Sequence, residues 1–305
     1  MKSKNTHEVI IVGGSVAGLS AALILGRSLR SVLVVDSGEP CNRQTSHSHS
    51  FMTRDGVPPA QLNALARGQA LAYPTVELLS DKVVAIKREN TGFSVTTEQS
   101  QHFTARKILL ATGVYDIMPA IDGFAECWGR SVLHCPYCHG YEVKNEPLGV
   151  MINGDHAREY AVIIRHWSKN ITLFTNGPAT FDETQRRTLQ NLGVPLVETP
   201  LVSIEHQNGM MTAVHFQDGS RVALSALFAP VTTRQHSDLA EQLGCDLTPT
   251  GLLVASAFGE TNVPGVFAAG DNSSPMRQLV VASAAGSTAG AFLNRELVNE
   301  SITGI

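Results

Sequence analysis

Two cysteines separated by a proline and a tyrosine, Cys135 and Cys138, are the residues of this sequence best suited to carry out chemistry. A two-residue spacer lets two sulfurs close a small ring that is readily opened by reduction. Such pairs commonly hold one thiol at a lowered pKa, so that a thiolate is present near neutral pH. The spacing therefore indicates a pair that cycles between dithiol and disulfide.

Three other interpretations of this motif have less support. Because His139 follows Cys138, the string also matches the Cys-x-x-Cys-His pattern that attaches a c-type haem. Haem attachment requires export, and no apolar segment precedes Glu8. A structural zinc site would need four ligands, and the other three cysteines are isolated in the sequence. A purely structural disulfide with this spacing would be strained and easily reduced in a cytosol.

A first nucleotide-binding pattern lies near the amino terminus. An apolar, β-branched run ends in the glycine-rich turn Gly13 to Gly18, and a helical stretch follows. Amide groups in such a turn and the helix dipole attract a pyrophosphate, while Gly18 lets the helix pack closely on the strand. The next strand, Ser31 to Val35, ends in Asp36, the acid expected to bind a ribose hydroxyl. One departure is Ser15, which replaces the usual middle glycine.

A second, degraded copy of the pattern follows the cysteines. Residues 148–175 again read as strand, turn, helix and strand. Ile152 occupies the position of the first glycine, where a branched side chain would crowd the turn. After the second strand, Thr175 to Pro178 offer no side chain that pairs with a phosphate dianion. We therefore expect a nucleotide-binding fold that has lost its site chemistry.

Length and these two patterns predict the domain organisation. A chain of 305 residues exceeds the usual size of one domain. The expected fold class is α/β, with two Rossmann-like nucleotide-binding domains of the three-layer ββα type, the second inserted in the first. Residues 1–115 and 236–305 would form the first domain and residues 116–235 the inserted one. The short apolar strand at 265–267 would have to rejoin the first sheet.

Composition excludes several classes of protein. The 23 basic and 27 acidic residues form no run of like charge, which argues against a nucleic-acid surface or a polybasic membrane anchor. No apolar stretch approaches the roughly 18 to 20 residues that span a bilayer. We expect a soluble, cytoplasmic protein. Five cysteines fit reduced thiols plus one functional pair better than an extracellular disulfide framework.

Five elements occur in the order found in one family. They are Gly13 to Gly18, Asp36, Ala111-Thr112-Gly113, Cys135 to Cys138, and Gly270-Asp271 followed by Arg277-Gln278-Leu279. With them the chain resembles the low-molecular-weight thioredoxin reductase-type flavoproteins over essentially its whole length. The resemblance implies FAD as cofactor, an inserted domain that binds NADPH in the family, a dithiol or disulfide as substrate, and a homodimer. It implies no metal.

By the same resemblance, particular residues should contact FAD. Asp271 would bind the ribityl chain, and Gln278 would lie against the isoalloxazine at the start of a long last helix. Cys135 would exchange with the substrate and Cys138 would face the flavin. The full set of expected cofactor-binding residues is Gly13, Ser15, Val16, Ala17, Gly18, Asp36, Ser37, Arg43, Gln44, Val83, Ala111, Thr112, Gly113, Gly270, Asp271, Arg277, Gln278 and Leu279.

The string from His134 to Glu142 resembles one branch of that family, the oxidases of small-molecule dithiols such as the gliotoxin and holomycin oxidases. In that branch a dithiol becomes a disulfide, and electrons pass through the cysteines to FAD and then to oxygen. His139 replaces the aspartate of thioredoxin reductases, and an imidazole with a pKa near neutrality could accept and return a thiol proton.

Two alternatives to the oxidase stay open from the sequence. One is a thioredoxin-type disulfide reductase fed by ferredoxin or weakly by NADPH. The other, from a different class, is a redox sensor whose cysteine pair switches a binding surface without turnover.

Overall fold

The structure, a computed structural model, describes residues 5–303. These residues divide into two compact units. The first contains residues 5–43, 51–115 and 233–303, and the second contains residues 44–50 and 116–232. Nothing in the sequence indicated that residues 44–50 belong with the second unit.

The elements are numbered in chain order. The strands are β1 Thr6–Val12, β2 Val32–Asp36, β3 Val76–Ser80, β4 Val83–Glu89, β5 Gly92–Thr97, β6 His102–Leu110, β7 Val114–Ile117, β8 Val132–Leu133, β9 Leu148–Met151, β10 Ile171–Phe174, β11 Leu196–Val197, β12 Leu201–Gln207, β13 Met210–Phe216, β14 Arg221–Ala223, β15 Ala226–Phe228, β16 Thr232–Gln235 and β17 Val266–Ala268. The helices are α1 Val16–Arg27, α2 Pro59–Leu71, α3 Phe124–Cys127, α4 Pro136–His139, α5 Ala157–Ile164, α6 Glu183–Asn191, α7 Leu239–Gln242 and α8 Leu279–Thr303.

The first unit is built on a seven-stranded sheet in the order β3-β2-β1-β6-β5-β4, with β17 also paired to β6. Strand β1 runs parallel to both β2 and β6. The apolar run from Val9 to Val12 is buried throughout, as expected for a parallel strand covered on both faces. Strand β17 joins β6 in parallel register, so the predicted return of the chain to the first sheet is confirmed.

Helices α1 and α8 pack against each other through small residues. A Cβ atom on Gly286 would lie 2.0 Å from the Ala17 carbonyl oxygen, and one on Gly290 would lie 3.0 Å from the Ala21 oxygen. Leu293 and Leu297 of α8 are fully buried in the same core. The predicted last helix is therefore confirmed, and its close contact with Ala17 places its amino-terminal half beside the glycine-rich turn.

The second unit contains a parallel five-stranded sheet in the order β11-β10-β9-β15-β8. A separate antiparallel sheet is formed by β12, β13 and β14. Residues 148–174 form the strand, turn, helix and strand predicted from sequence, but α5 ends at Ile164, earlier than the expected Trp167. The predicted α/β class with two Rossmann-like units is confirmed.

Helix length and charge bear on membrane insertion. Within residues 5–303, no helix combines the length and the apolar character needed to cross a bilayer. The longest, α8, has 25 residues and carries charged side chains such as Arg295 and Glu296.

Candidate active site

Two glycines of the first turn are required by backbone geometry. Gly13 has a φ of +109°, and a Cβ atom there would lie 2.2 Å from the carbonyl oxygen of Ala111. A Cβ on Gly18 would lie 1.9 Å from the carbonyl oxygen of Gly13. Any side chain at either position would displace the backbone. The turn is thus held tightly between α1 and the segment that begins at Ala111.

The start of α1 has the properties of an anion-binding helix terminus. Val16 and Ala17 open the helix, Ser15 precedes it without a side-chain cap, and no acidic residue lies in its first turn. Backbone amides at such a terminus are available to a pyrophosphate, and the helix dipole favours its charge. The replacement of the middle glycine by Ser15 leaves this arrangement intact.

Asp36 lies against the turn, as its position at the end of β2 predicted. Its Oδ1 accepts a hydrogen bond from the Gly14 amide at 3.0 Å, and Arg67 donates to its Oδ2 at 3.0 Å. Each carboxylate oxygen keeps a further lone pair, so Asp36 can still accept a bond from a ribose hydroxyl. Arg67 comes from α2, and no sequence pattern indicated it.

The segment around Asp271 is joined to the end of β6 and to Thr112 by Asn272, a residue that the sequence did not single out. Asn272 is fully buried, and its side-chain amide donates to the Leu110 carbonyl at 2.8 Å and lies 3.5 Å from Thr112 Oγ1. Its Oδ1 is buried without a hydrogen-bond partner in the described residues. Asn272 thereby holds Ala111-Thr112-Gly113 beside Gly270-Asp271. In the sequence, the position of Asn272 directly after Gly270-Asp271 was the one sign that it could belong to the site.

The Asp271 carboxylate has two neighbours of its own. The Cys41 thiol lies 3.7 Å from Asp271 Oδ2, and Arg277 Nε lies 3.7 Å from the same oxygen. Gln278 directly precedes α8, where its carbonyl accepts the amide of Ala282. Cys41 is isolated from the other cysteines in the sequence, and Asp271, its neighbour in the structure, lies 230 positions further along the chain.

The other expected cofactor residues are more dispersed. Ser37 is exposed after β2, and Arg43 is exposed with its guanidinium bonded to the Pro40 carbonyl at 3.2 Å. Val83 is buried in the core of the first unit, whereas Gln44 clusters with the second unit. The structure therefore brings the glycine turn, Asp36, Ala111 to Gly113 and Gly270-Asp271 into one cradle.

Cys135 and Cys138 form a disulfide with their Cα atoms 5.3 Å apart. Cys135 is the N-cap of the short helix α4, and its sulfur accepts a hydrogen bond from the Cys138 amide at 3.2 Å. An amide donor stabilises a thiolate when the disulfide opens. Ser50 donates to the Tyr137 carbonyl at 3.2 Å, which ties residues 44–50 to the redox loop.

The imidazole of His139 is more buried than its position in the sequence implied. Both ring nitrogens are buried, and the Cys135 backbone is the hydrogen-bonding group nearest to the ring. Burial lowers the pKa of His139, and the nearby Glu142 only partly opposes that shift. The sequence position implied an ordinary imidazole pKa, but burial places the pKa of His139 below the ordinary value of 6.5. The imidazole is therefore mainly neutral at pH 7, the form that can accept a proton, although burial makes it a weaker base than a free imidazole.

The residue before Cys135 is fixed by its backbone and by its ring. The Tyr160 hydroxyl donates to the His134 carbonyl at 2.8 Å. Burial raises the pKa of Tyr160 well above its usual value, so it remains a donor over the working pH range. The His134 ring stacks on Trp128 with centroids 5.8 Å apart, and the Trp128 indole donates to buried Asp116 at 3.2 Å. The redox loop thus packs on α5 and on the indole of buried Trp128.

Replacing Tyr160 with phenylalanine should lower the stability of the holoprotein by about 1 kcal/mol, the usual net value of one hydrogen bond. Urea denaturation followed by far-UV circular dichroism measures the change. Tyr73→Phe is the matched control, because the Tyr73 hydroxyl accepts a hydrogen bond from exposed Arg27 in the first unit. An equal loss of unfolding free energy in both variants would show that the Tyr160–His134 hydrogen bond stabilises the protein no more than an exposed one.

The geometry defines a class of protein, a two-unit disulfide oxidoreductase with a dinucleotide cradle and a redox-active cysteine pair. The family model for pyridine nucleotide-disulphide oxidoreductases matches residues 7–286. The chain belongs to this family. Within the family it resembles the thioredoxin reductases, as the sequence elements predicted.

Relatives cover nearly the whole chain. A thioredoxin reductase named tcpT from Claviceps purpurea is 33% identical over 320 residues, spanning 98% of this chain and 96% of the relative. A thioredoxin reductase named sirT from Leptosphaeria maculans is 32% identical over 305 residues, spanning 94% and 93%. Among solved structures, that of HlmI has a TM-score of 0.93 at 33% identity and covers 100% of this chain and 96% of its own.

FAD is the cofactor of this family, and the cradle fits it. The tight glycine turn, the amide-rich start of α1, Asp36 and the unpartnered Oδ1 of buried Asn272 together match the needs of a dinucleotide. A metal would need a different donor set. No group of three or more His, Cys, Asp or Glu side chains suited to a metal ion occurs in the part of the chain that the structure describes.

Proposed function

We propose that this protein is an FAD-dependent dithiol oxidase that works without a pyridine nucleotide. The observation that carries the proposal is the contrast between its two nucleotide-type turns. The first turn, at Gly13, is intact, whereas the second has Ile152 at the glycine position and no basic side chain from Thr175 to Pro178. The redox disulfide is nevertheless kept.

The disulfide accepts electrons from a substrate dithiol in two exchange steps. A substrate thiolate attacks the sulfur of Cys135, the bond to Cys138 breaks, and Cys138 leaves as a thiolate. The second substrate thiolate then attacks the substrate sulfur of the mixed disulfide, and Cys135 leaves as a thiolate stabilised by the Cys138 amide. The substrate is now a disulfide, and the two electrons reside on Cys135 and Cys138.

His139 serves as the proton acceptor in this scheme. It is neutral at pH 7 because of burial, and it directly follows Cys138. A neutral imidazole can take a proton from a thiol and release it later in the cycle. Bound FAD would supply the acceptor for the two electrons, which oxygen would finally take up as hydrogen peroxide. A homodimer and a cytoplasmic location are part of this proposal by resemblance to the family.

The proposal predicts that a dithiol, and not NADPH, reduces the flavin. Under anaerobic conditions, dithiothreitol should bleach the flavin absorbance, while NADPH and NADH should do so very slowly or not at all. Stopped-flow absorbance measures both rates. Rapid reduction by micromolar NADPH would overturn the proposal and restore an ordinary reductase.

A second candidate is a disulfide reductase supplied with electrons by ferredoxin. The names of the relatives tcpT and sirT, both called thioredoxin reductases, favour the direction of reduction, and ferredoxin is part of the candidate as an alternative to NADPH. Reduced ferredoxin would then reduce the flavin, and the enzyme would reduce thioredoxin in steady state. The redox sensor is separated from both enzymes by turnover, because a sensor oxidises one equivalent of dithiol and then stops.

A further inference from the structure

The two nucleotide-type turns differ in where their helices begin. Helix α1 starts at Val16, four residues after β1 ends at Val12, whereas α5 starts at Ala157, six residues after β9 ends at Met151. In the second turn the Ala157 amide bonds to the Gly154 carbonyl at 3.0 Å. The Ala157 amide at the start of α5 is therefore already bonded within the turn.

Asn153 fills the space between this turn and the next loop with its own hydrogen bonds. Its side-chain oxygen accepts from the Gly154 amide at 2.9 Å, from the Thr180 amide at 2.9 Å and from the Thr180 hydroxyl at 3.1 Å. Its side-chain nitrogen donates to the Thr175 carbonyl at 3.3 Å and to the Pro178 carbonyl at 2.9 Å. One side chain thus occupies donors and acceptors on both loops.

Those loops lie where a Rossmann unit binds its dinucleotide. They follow the carboxyl ends of β9 and β10, which are neighbouring parallel strands. The first loop of such a unit normally binds the pyrophosphate, and the second normally binds the ribose. The hydrogen bonds of Asn153 therefore join the two surfaces between which a cofactor would have to lie.

Charge in the same region gives a phosphate little net attraction. Asp155 precedes α5, and the first turn of the helix carries Arg158 and Glu159, which have opposite charges. Glu198 accepts the Ala179 amide at 2.7 Å and pairs with Arg186 at 3.2 Å, and these contacts lower the pKa of Glu198. The Arg186 charge next to the second loop is thus already paired with a carboxylate.

We propose that Asn153 is the specificity-determining residue that excludes pyridine nucleotides from the inserted unit. Its side-chain amide takes the hydrogen-bonding positions that the cofactor would use, and it holds the two loops together. The inference deepens the proposed function, on which it rests for the statement that the enzyme works without NADPH. It assigns a larger part of the exclusion to Asn153 than to Ile152.

Variants of the FAD-loaded protein separate the two residues. Asn153→Ala frees the Gly154 amide and both donors of Thr180, whereas Ile152→Gly restores the glycine pattern without freeing them. ADP-ribose is the probe, because it carries the pyrophosphate and adenosine but no redox group. Isothermal titration calorimetry measures its affinity. Asn191→Ala, at the exposed end of α6 in the same unit, is the matched control.

Asn153→Ala should bind ADP-ribose at least about tenfold more tightly than the parent, the effect of one recovered bond to a charged phosphate. Ile152→Gly alone should gain less affinity than Asn153→Ala, and Asn191→Ala should match the parent. Hydrogen exchange at the Thr180 amide should also speed up in Asn153→Ala, which confirms that the donor has been released. The flavin spectrum and the thermal midpoint verify that each variant is folded.

Two results would overturn the inference. One is an unchanged affinity in Asn153→Ala despite faster exchange at Thr180, and the other is a gain in Ile152→Gly that equals or exceeds the gain in Asn153→Ala. Neither result bears on the proposed function, which is tested on the parent protein by flavin reduction with NADPH or a dithiol and by turnover. The two failures are therefore distinguishable.

Discussion

Replacing Cys138 with serine should abolish flavin reduction by dithiols and leave FAD bound. A hydroxyl cannot form the disulfide through which the electrons pass, and Cys138 has no expected role in binding the cofactor. Anaerobic mixing with dithiothreitol, followed at the flavin absorbance, measures the loss. Cys245→Ser is the matched control, because Cys245 is buried beside Thr261 in the first unit and a serine can keep that contact.

The companion variant Cys135→Ser tests which sulfur faces the flavin. It should leave Cys138 as a thiolate able to donate to the flavin, visible as a long-wavelength charge-transfer band. The Cys138→Ser variant should lack that band. If the band appears in Cys138→Ser and is missing in Cys135→Ser, the two assigned roles are reversed.

Replacing His139 with alanine should lower turnover by roughly 10² to 10⁴, the usual contribution of a positioned acid–base group, with FAD content unchanged. Because burial lowers the pKa of His139, the neutral base persists down to a pH below 6.5. Activity of the parent should therefore fall on the acid side of that value, as the imidazole becomes protonated. The alanine variant should lose this acidic limb of the pH–rate profile.

The controls for His139 separate chemistry from packing. His139→Gln keeps a polar side chain of similar size that does not titrate, and it should also lose the limb. His215→Ala removes a histidine that pairs with Glu205 on the antiparallel sheet of the same unit, and it should keep the limb. Near-normal turnover with an unaltered profile in His139→Ala would remove this residue from the mechanism.

Burial of His139 also links pH to folding. The unfolded chain binds a proton at this imidazole more readily than the folded chain, because the pKa is lowered only in the folded state. Stability is therefore complete above the unfolded pKa near 6.5 and falls as pH drops from there toward the lower folded value. The His139→Ala variant should show a smaller loss over that range.

Local patterns predicted the parts of the site that are continuous in the chain. The turn from Gly13 to Gly18, the acid at the end of β2 and the Cys-x-x-Cys helix each follow from residues close in sequence. The partners of these residues could not be predicted in this way. Arg67 reaches Asp36 from α2, and Asn272 reaches Leu110 across 162 positions.

The same distinction explains the error on His139. Its sequence position was informative, but its pKa depends on burial, which arises only when α4 packs within its unit. Asn153 shows the reverse case. A small polar residue in a degraded glycine turn has no recognisable signature, and its importance appears only from bonds to Thr175, Pro178 and Thr180.

The cysteines outside the disulfide differ in exposure, so alkylation can report the oxidation state of the Cys135–Cys138 pair. Cys127 and Cys245 are buried, and burial raises the pKa of both thiols. Cys41 is half-buried beside Asp271. An alkylating reagent applied to the native protein therefore meets one accessible thiol, Cys41, when the disulfide is closed and three thiols when it is open. Mass spectrometry of the labelled chain would report the fraction of molecules whose disulfide is open, and the label on Cys41 would show whether the segment at Asp271 is covered.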